Sequence, residues 1–349
     1  MKIGYLHNIP PAQHISSEEK FIALGKNTGN LVFRDALWRL FDPFNIPYDR
    51  QEFIEQFEKV IITDLIWIKE NAEYNYLERI IDKYPVSLIP MSIGLQNKSF
   101  YDLSFHLSEQ LLRLLKKMQE RAVLGCRGEY TAEVLSKNGI KNIEMIGCPS
   151  MYYWNNRRLK IRSRAKPVHC SANFRSFSRA LTENEKNFLR YCAERNMVFI
   201  EQTGRFAAWN VKDKEYFQFV NGWMEKKAVV PFDRSEWDRA LQNVDFSFGA
   251  RFHGNVMALW NNIKALFMIT DSRTKEMIEF FRLPSIELNA FDKDKPIEYY
   301  YELADYSEFN KIYHKLYKIF CGFVKKNGLV FSEKALPLQF NAHKVKVQG

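Results

Sequence analysis

The chain has 349 residues, 46% of them hydrophobic and 15% aromatic, with 12 prolines and 15 glycines; this suits two globular domains and excludes collagen-like, disordered and disulfide-scaffold classes. Its formal net charge is +10, from 51 Lys and Arg against 41 Asp and Glu, so an anionic partner is expected: nucleic acid, a membrane surface or a small phosphorylated ligand. The opening MKIGYLHNIP lacks the apolar core of a signal peptide, no run reaches the roughly 18 uncharged apolar residues of a bilayer span, and Cys126, Cys148, Cys170, Cys192 and Cys321 form no CxxC pair. The expectation is a cytoplasmic protein whose cysteines are reduced, buried small hydrophobes, with no zinc site and no disulfide framework.

In chain order, short β-rich runs alternate with helix-length segments: KIGYLH, a glycine turn and helix in ALGKNTGNLVFRDALWRLF, then EKVIITDLIWI, VSLIPMSIGL, RAVLGC and IEMIGC. This is the rhythm of a parallel α/β sheet. EKVIITDLIWI is taken as one such run, Asp64 included. Next comes NNRRLKIRSRAKP, with Arg157, Arg158, Lys160, Arg162, Arg164 and Lys166 and no heptad or zinc-finger context for nucleic acid. It reads as a solvated linker, with a membrane-facing patch as the alternative.

The rhythm then restarts with PVHCSANF, a helix from about Thr182, MVFIEQTG, AVVPF, a helix around Trp237, VDFSFG, a helix after Gly254, KALFMIT and a helix after Asp271. Thr182 and Glu185 have capping-box spacing. The tail YELADYSEFNKIYHKLYKIFCGFVKKNG carries apolar residues at helical spacing up to Gly328. The predicted fold is therefore α/β, two Rossmann-like domains facing a cleft, over residues 1–155 and 168–300, joined by a basic linker at 156–167 and followed by a helical tail at 301–349 that packs back on the first domain. Ligands of such a fold bind outside the carboxyl ends of strands, so candidate chemistry is sought there.

In GARFHGN, Arg251 and His253 fall between a strand and a helix, where free amides and the helix dipole favour an anion. Arg251 offers a planar fork of donors and His253 a proton exchanged near neutral pH. The plainer alternative has His253 capping the helix and Arg251 paired with a surface acid. Arg127 holds the corresponding place in RAVLGCRGEYTAEVLSKNG; either it meets Arg251 across the cleft on one anion, or it pairs locally with Glu129 or Glu133. GKNTGN (25–30) lacks both GxGxxG spacing and a P-loop lysine; it reads first as an ordinary turn, with Asn27, Gly29 and Asn30 as acceptor-pocket candidates. In TDSRTKEMIEFF, Asp271 or Ser272 is an N-cap and Arg273 or Lys275 a further positive charge. GxSxG, HExxH and kinase signatures are absent, as is metal-ligand spacing. Two arginines with a histidine suit a small dianion.

GARFHGNVMALWNNIKALFMITDSRTKEMIEFFRLP resembles the C-terminal signature of the polysaccharide pyruvyl transferase family, with RFHG as its most specific part. MSIGLQ, LGCRGEYTAEVLSKNGIKNIEMIGCPS and GKNTGN resemble the family's first-domain elements, and the matches extend over about residues 20–288. Asp271-Ser272-Arg273 departs from the family's Asp-x-Lys, and Lys264 stands where relatives favour proline. The resemblance implies a glycosyltransferase-B-like fold, with the first domain on the acceptor side and the second on the donor side. It implies phosphoenolpyruvate as donor substrate, no separate cofactor or metal, and pyruvate moved onto a sugar as a cyclic ketal. Carried over by position, Arg127 and Arg251 hold the donor's phosphate and carboxylate and His253 is the acid/base residue; Arg273, inside the departing segment, is taken as a further donor-binding charge. The expected acceptor is a lipid-linked or other oligosaccharide at the inner membrane face, with the basic linker and surface-prone Tyr152, Tyr153 and Trp154 as peripheral contacts; nucleic acid is not expected. A nucleotide-sugar-dependent glycosyltransferase and a non-catalytic glycan-binding protein are the alternatives.

Overall fold

The computed structural model describes residues 2–7, 16–97, 100–162, 167–175, 181–204 and 214–340. Its first half contains β1 (Gly4–Leu6), α1 (Ser17–Ala23), α2 (Asn30–Phe41), β2 (Phe44–Ile46), β3 (Lys59–Ile62), α3 (Asn75–Lys83), β4 (Ser87–Pro90), α4 (Glu109–Gln119), β5 (Leu124–Cys126), α5 (Glu129–Lys137) and β6 (Ile143–Met145). Its second half contains β7 (Cys170–Asn173), α6 (Glu183–Glu194), β8 (Val198–Ile200), α7 (Lys214–Lys227), β9 (Ala228–Val229), α8 (Arg234–Leu241), β10 (Phe246–Gly249), α9 (Phe252–Trp260), β11 (Lys264–Ile269), α10 (Ser272–Phe281), β12 (Ser285–Glu287), α11 (Ile297–Leu303) and α12 (Ser307–Lys326).

Every named strand pair is parallel. The first sheet runs β2-β1-β3-β4, and an isolated parallel bridge between Ile93 and Cys126 leads on to the β5-β6 pair. The second runs β12-β11-β10-β7-β8-β9. Helices cover both faces, which is why the strands read as apolar runs rather than as alternation: all of Phe246–Gly249 is buried. In α2 the buried positions Val32, Phe33, Ala36, Leu37 and Leu40 recur at helical spacing and form its core-facing stripe. α6 begins at a capping box in which the Thr182 side chain accepts from the Glu185 amide and Glu185 returns a bond to the Thr182 amide.

The strand order reverses direction twice, between β1 and β3 in the first sheet and between β7 and β10 in the second. Such switch points open a crevice at the carboxyl ends of the flanking strands. The EKVIITDLIWI run is shorter as a strand than its apolar content suggests. β3 stops at Ile62 and a single 3-10 turn takes Asp64–Ile66, so Asp64 follows the strand instead of lying within it.

α12 packs against the first half of the chain. Tyr313 donates to the Met151 carbonyl, Asn327 exchanges bonds with the Val123 backbone, and Lys326 pairs with Glu144. Phe320 stacks on Tyr152 at 4.1 Å between ring centroids. This corrects the reading of the neighbouring aromatics as surface-prone: Tyr152 and Trp154 are 0% and 1% exposed, covered by α12 and by the segment after it. Tyr153 is half-buried, stacked on Trp260. The basic run alternates, with Arg157, Arg158, Lys160 and Arg162 exposed while Leu159 and Ile161 are buried. Asn310 of α12 holds the Ile161 backbone through both its amide and its carbonyl. Arg164 and Lys166 lie outside the described residues. Cys126, Cys148 and Cys192 are buried, whereas Cys170 and Cys321 are partly exposed. Among the described residues no helix is long and apolar enough to cross a membrane.

Candidate active site

The carboxyl ends of both sheets open on one cavity of about 1350 Å³, whose walls include Arg127, Arg251, His253 and Arg273. A smaller pocket of about 450 Å³ beside α2 and α8 contains none of the candidate donor, acid/base or acceptor residues; of the residues singled out in the sequence it takes Tyr153.

The GARFHGN turn sits at the β7/β10 switch point and is built from buried amides. Asn255 donates to the Gly249 carbonyl, while its Oδ1 accepts from Asn173 at 2.7 Å and from Ser247 at 3.0 Å. Asn173 in turn accepts the Arg251 backbone N–H at 2.8 Å. Because this network saturates the turn from below, the Arg251 and His253 side chains are free to face the cavity. α9 begins earlier than expected, with Arg251 at the N-cap position and His253 in the first turn, and no side chain caps it. Capping therefore does not explain His253. Gly254 closes the motif for steric reasons: a Cβ there would lie 2.7 Å from Gln202 Nε2.

Arg127 follows β5 and is 4% exposed. Its Nε donates to Ser92 at 3.2 Å, and its aliphatic stem occupies the space left by Gly94, where a Cβ would sit 2.6 Å from Arg127 Cδ. Glu133 pairs with Lys137 instead. The Nε atoms of Arg251 and Arg273 are buried without a hydrogen-bond partner among the described residues, an unusual state for guanidinium donors that do not await a ligand. Arg273 pairs with Asp271 at 3.2 Å and lies over the Trp67 ring. Asp271 is the N-cap of α10, accepting from the Thr274 amide at 2.8 Å. Burial alone would raise its carboxyl, but Arg273 and the Thr274 bonds hold it below the ordinary value.

Arg127 and Arg251 both feel the charge of Arg273. Burial, then the charge of Arg273, lowers Arg127 to about 10; burial and the same Arg273 charge lower Arg251, against the opposing influence of Glu201. His253 is pushed down to about 3, first by burial and then by Arg127 and Arg273. Its Nε2 lies 3.5 Å from Cys148 Sγ, and Cys148 accepts from Ser150 Oγ at 3.1 Å. Phe33 of α2 packs on the His253 ring, 5.5 Å between centroids. These causes favour the neutral imidazole, and the same guanidinium charges favour an anion in the cavity.

The GKNTGN loop divides. Asn27 and Asn30 line the cavity, Asn27 accepting from the Gly29 amide and Asn30 donating to the Leu24 carbonyl. Gly29 is not part of the wall. A Cβ at that position would lie 2.3 Å from Gln202 Oε1, so its smallness serves the contact between the two halves of the chain, where Thr28 N–H also donates to the Gln202 carbonyl.

Among the cavity residues that the sequence reading missed are His7, Tyr48, Asp64 and Arg175. Each follows a strand, β1, β2, β3 and β7 respectively, so the strand-end rule would have found them had the strand limits been known. Among the described residues no group of three or more His, Cys, Asp or Glu is arranged to hold a metal ion.

The family model described as polysaccharide pyruvyl transferase matches residues 27–272. No curated protein gives a significant match. Among solved structures, S. aureus MnaA with UDP is 9% identical over 95% of this chain and 100% of its own, with a TM-score of 0.47. The UDP-GlcNAc 2-epimerase of Neisseria meningitidis is 10% identical over 93% and 100%, TM-score 0.42. An uncharacterised protein of Klebsiella pneumoniae is 14% identical over 80% and 88%, TM-score 0.40.

Proposed function

The chain belongs to the polysaccharide pyruvyl transferase family, and from that premise we propose that it transfers pyruvate from phosphoenolpyruvate to a sugar of a polysaccharide precursor as a cyclic ketal, releasing phosphate. The observation that carries this reading is the meeting of Arg127 with Arg251, Arg273 and His253 in one cavity. A donor with a phosphate and a carboxylate offers two anionic ends to three guanidinium groups, of which two have a buried Nε unsatisfied. As phosphate departs, negative charge grows where these donors already point, and no reorganisation is needed at that moment.

Ketal formation needs a proton on the donor's methylene carbon, and His253 is the acid in this scheme. Burial, Arg127 and Arg273 all disfavour its cation and keep the imidazole neutral. Bound donor neutralises the arginines, removes two of those causes, and loads the imidazole with a proton when the substrate is in place. With Nε2 beside Cys148, Nδ1 is the nitrogen that exchanges this proton with the donor.

The acceptor is proposed to be a lipid-linked or other oligosaccharide, with Asn27 and Asn30 among its contacts. Peripheral attachment to a membrane now rests on the exposed arginines and lysine of the basic run alone. Thermal shift with phosphoenolpyruvate against a panel of nucleotide sugars tests the donor: phosphoenolpyruvate should raise the melting temperature and the sugars should not. Stabilisation by a nucleotide sugar alone would return the chain to the glycosyltransferase alternative.

A further inference from the structure

The first sheet has a switch point of its own, between β1 and β3. Because Leu6 is in register with both Ile46 and Ile62, the residues leaving those three strands emerge side by side: His7 after β1, Tyr48 two places after β2, and Thr63 and Asp64 after β3. All four line the cavity. By the rule that puts Arg251 and His253 at the second sheet's crevice, this is the matching crevice of the first.

Asp64 is the reactive candidate in it. The Tyr48 and Tyr76 hydroxyls both donate to its Oδ1, while Oδ2 is buried with no hydrogen-bond partner among the described residues. A carboxylate kept only for the fold would ordinarily have both oxygens satisfied. The scheme above also lacks a group: when His253 gives its proton to carbon, the attacking hydroxyl must lose one, and a single imidazole cannot do both in the same step. We propose that Asp64 is the base that takes the proton of the attacking acceptor hydroxyl, with Tyr48 and Tyr76 as positioning residues that hold its carboxylate. This deepens the pyruvyl transfer reading and rests on it.

The step balances. The hydroxyl O–H breaks, its proton goes to Asp64, and its oxygen forms a bond to the central carbon of the enol phosphate. The electron pair of the carbon–carbon double bond takes the proton from His253, making the methyl group. In the second stage the other hydroxyl forms the second carbon–oxygen bond and returns its proton to His253, as the bond to the phosphate oxygen breaks with its pair. The proton held by Asp64 leaves with that phosphate, so both residues regain their starting states.

The surroundings suit such a base. Burial raises the Asp64 carboxyl above the ordinary range, while the two tyrosines and the amides of Asp64 and Thr63 oppose that rise. Tyr5 and Tyr74 also face it. The nearby His7 is held neutral, down to about 3, by burial and by Arg34, and Lys69 and Glu70 are the charged residues of the adjoining wall.

The test uses the full chain with phosphoenolpyruvate and an oligosaccharide acceptor that the wild type turns over. Asp64→Asn should keep the thermal shift produced by phosphoenolpyruvate and lose about 10²- to 10⁴-fold in kcat. Tyr76→Phe removes a hydrogen bond that favours the carboxylate, so the acid limb of kcat/KM should move to higher pH, a change that a purely structural tyrosine would not produce. Asp64→Asn releasing phosphate within about twofold of wild type, or Tyr76→Phe with an unmoved acid limb, overturns the assignment. A wild-type chain that is neither stabilised by phosphoenolpyruvate nor able to release its phosphate overturns the donor reading, and this proposal with it.

Discussion

His253 is governed first by burial and then by the charges of Arg127 and Arg273, and the share due to charge makes its protonation a reporter of donor binding. Burial and two guanidinium groups hold it at about 3, so its imidazole is neutral at about pH 7; an anion between the arginines offsets their share of that shift and favours the cation. Binding of phosphoenolpyruvate at about pH 7 should therefore take up on the order of one proton. Calorimetry in buffers of different ionisation enthalpy measures this, and His253→Gln should abolish the uptake, lower kcat by about 10²-fold or more, and leave donor affinity largely intact. Equal uptake in that variant would assign the proton elsewhere. Arg251→Lys retains the charge but loses the fork, and the buried Nε it removes has no other partner among the described residues. Donor affinity should weaken by about tenfold or more in a direct binding titration; an unchanged Kd would leave Arg251 without a donor contact.

At the scale of elements, the two halves of the chain share a helix cap. α5 begins at Gly128, which supplies no side-chain cap, and the missing acceptor comes from α10: Glu276 accepts from the Thr131 amide at 2.6 Å and from its hydroxyl at 2.9 Å. Gly128 has no room for a side chain, since a Cβ would lie 2.6 Å from Glu276 Cγ. Burial raises the Glu276 carboxyl from 4.5 to about 7 despite the Thr131 bonds and Arg127. A folded-state value above the unfolded one means a contribution to stability that is complete below about pH 4.5 and lost as pH rises through about 7. Glu276→Gln can still accept from the Thr131 amide and has no charge to bury. It should gain stability relative to wild type, on the order of 2 kcal/mol, as pH is raised from about 5 to about 8. Melting curves across that range are the check, and a constant difference between the two proteins would contradict the assigned titration.

At the scale of the whole molecule, α12 binds the end of the chain to its first half. Phe320 stacks on Tyr152 and also packs near Phe41 and Phe331, and all of its side chain is buried. Phe320→Ala should cost about 3–5 kcal/mol, seen as a lower denaturant midpoint, with the phosphoenolpyruvate thermal shift preserved because the cavity does not include this residue. Loss of less than about 1 kcal/mol would mean the tail contributes little to the fold.

Arg127, Arg251, His253 and Arg273 were legible from the chain because their position depends on local order alone: an apolar run, a polar turn, a helix. The same holds for the parallel α/β class and for the capping box at Thr182, whose partners lie three residues apart. Asp64 was hidden inside an apolar run because nothing local says that β3 stops at Ile62; pairing with β1 and β4 sets that limit. Gly29 looked like a pocket residue until Gln202, over 170 positions away, was found filling its space. Tyr152 and Trp154 looked exposed beside a basic run, since the residues that bury them come from the far end of the chain. Spacing along a backbone encodes periodicity and helix ends, whereas burial, electrostatic fields and shared caps arise from segments that meet only after folding, so those had to be read from the assembled molecule.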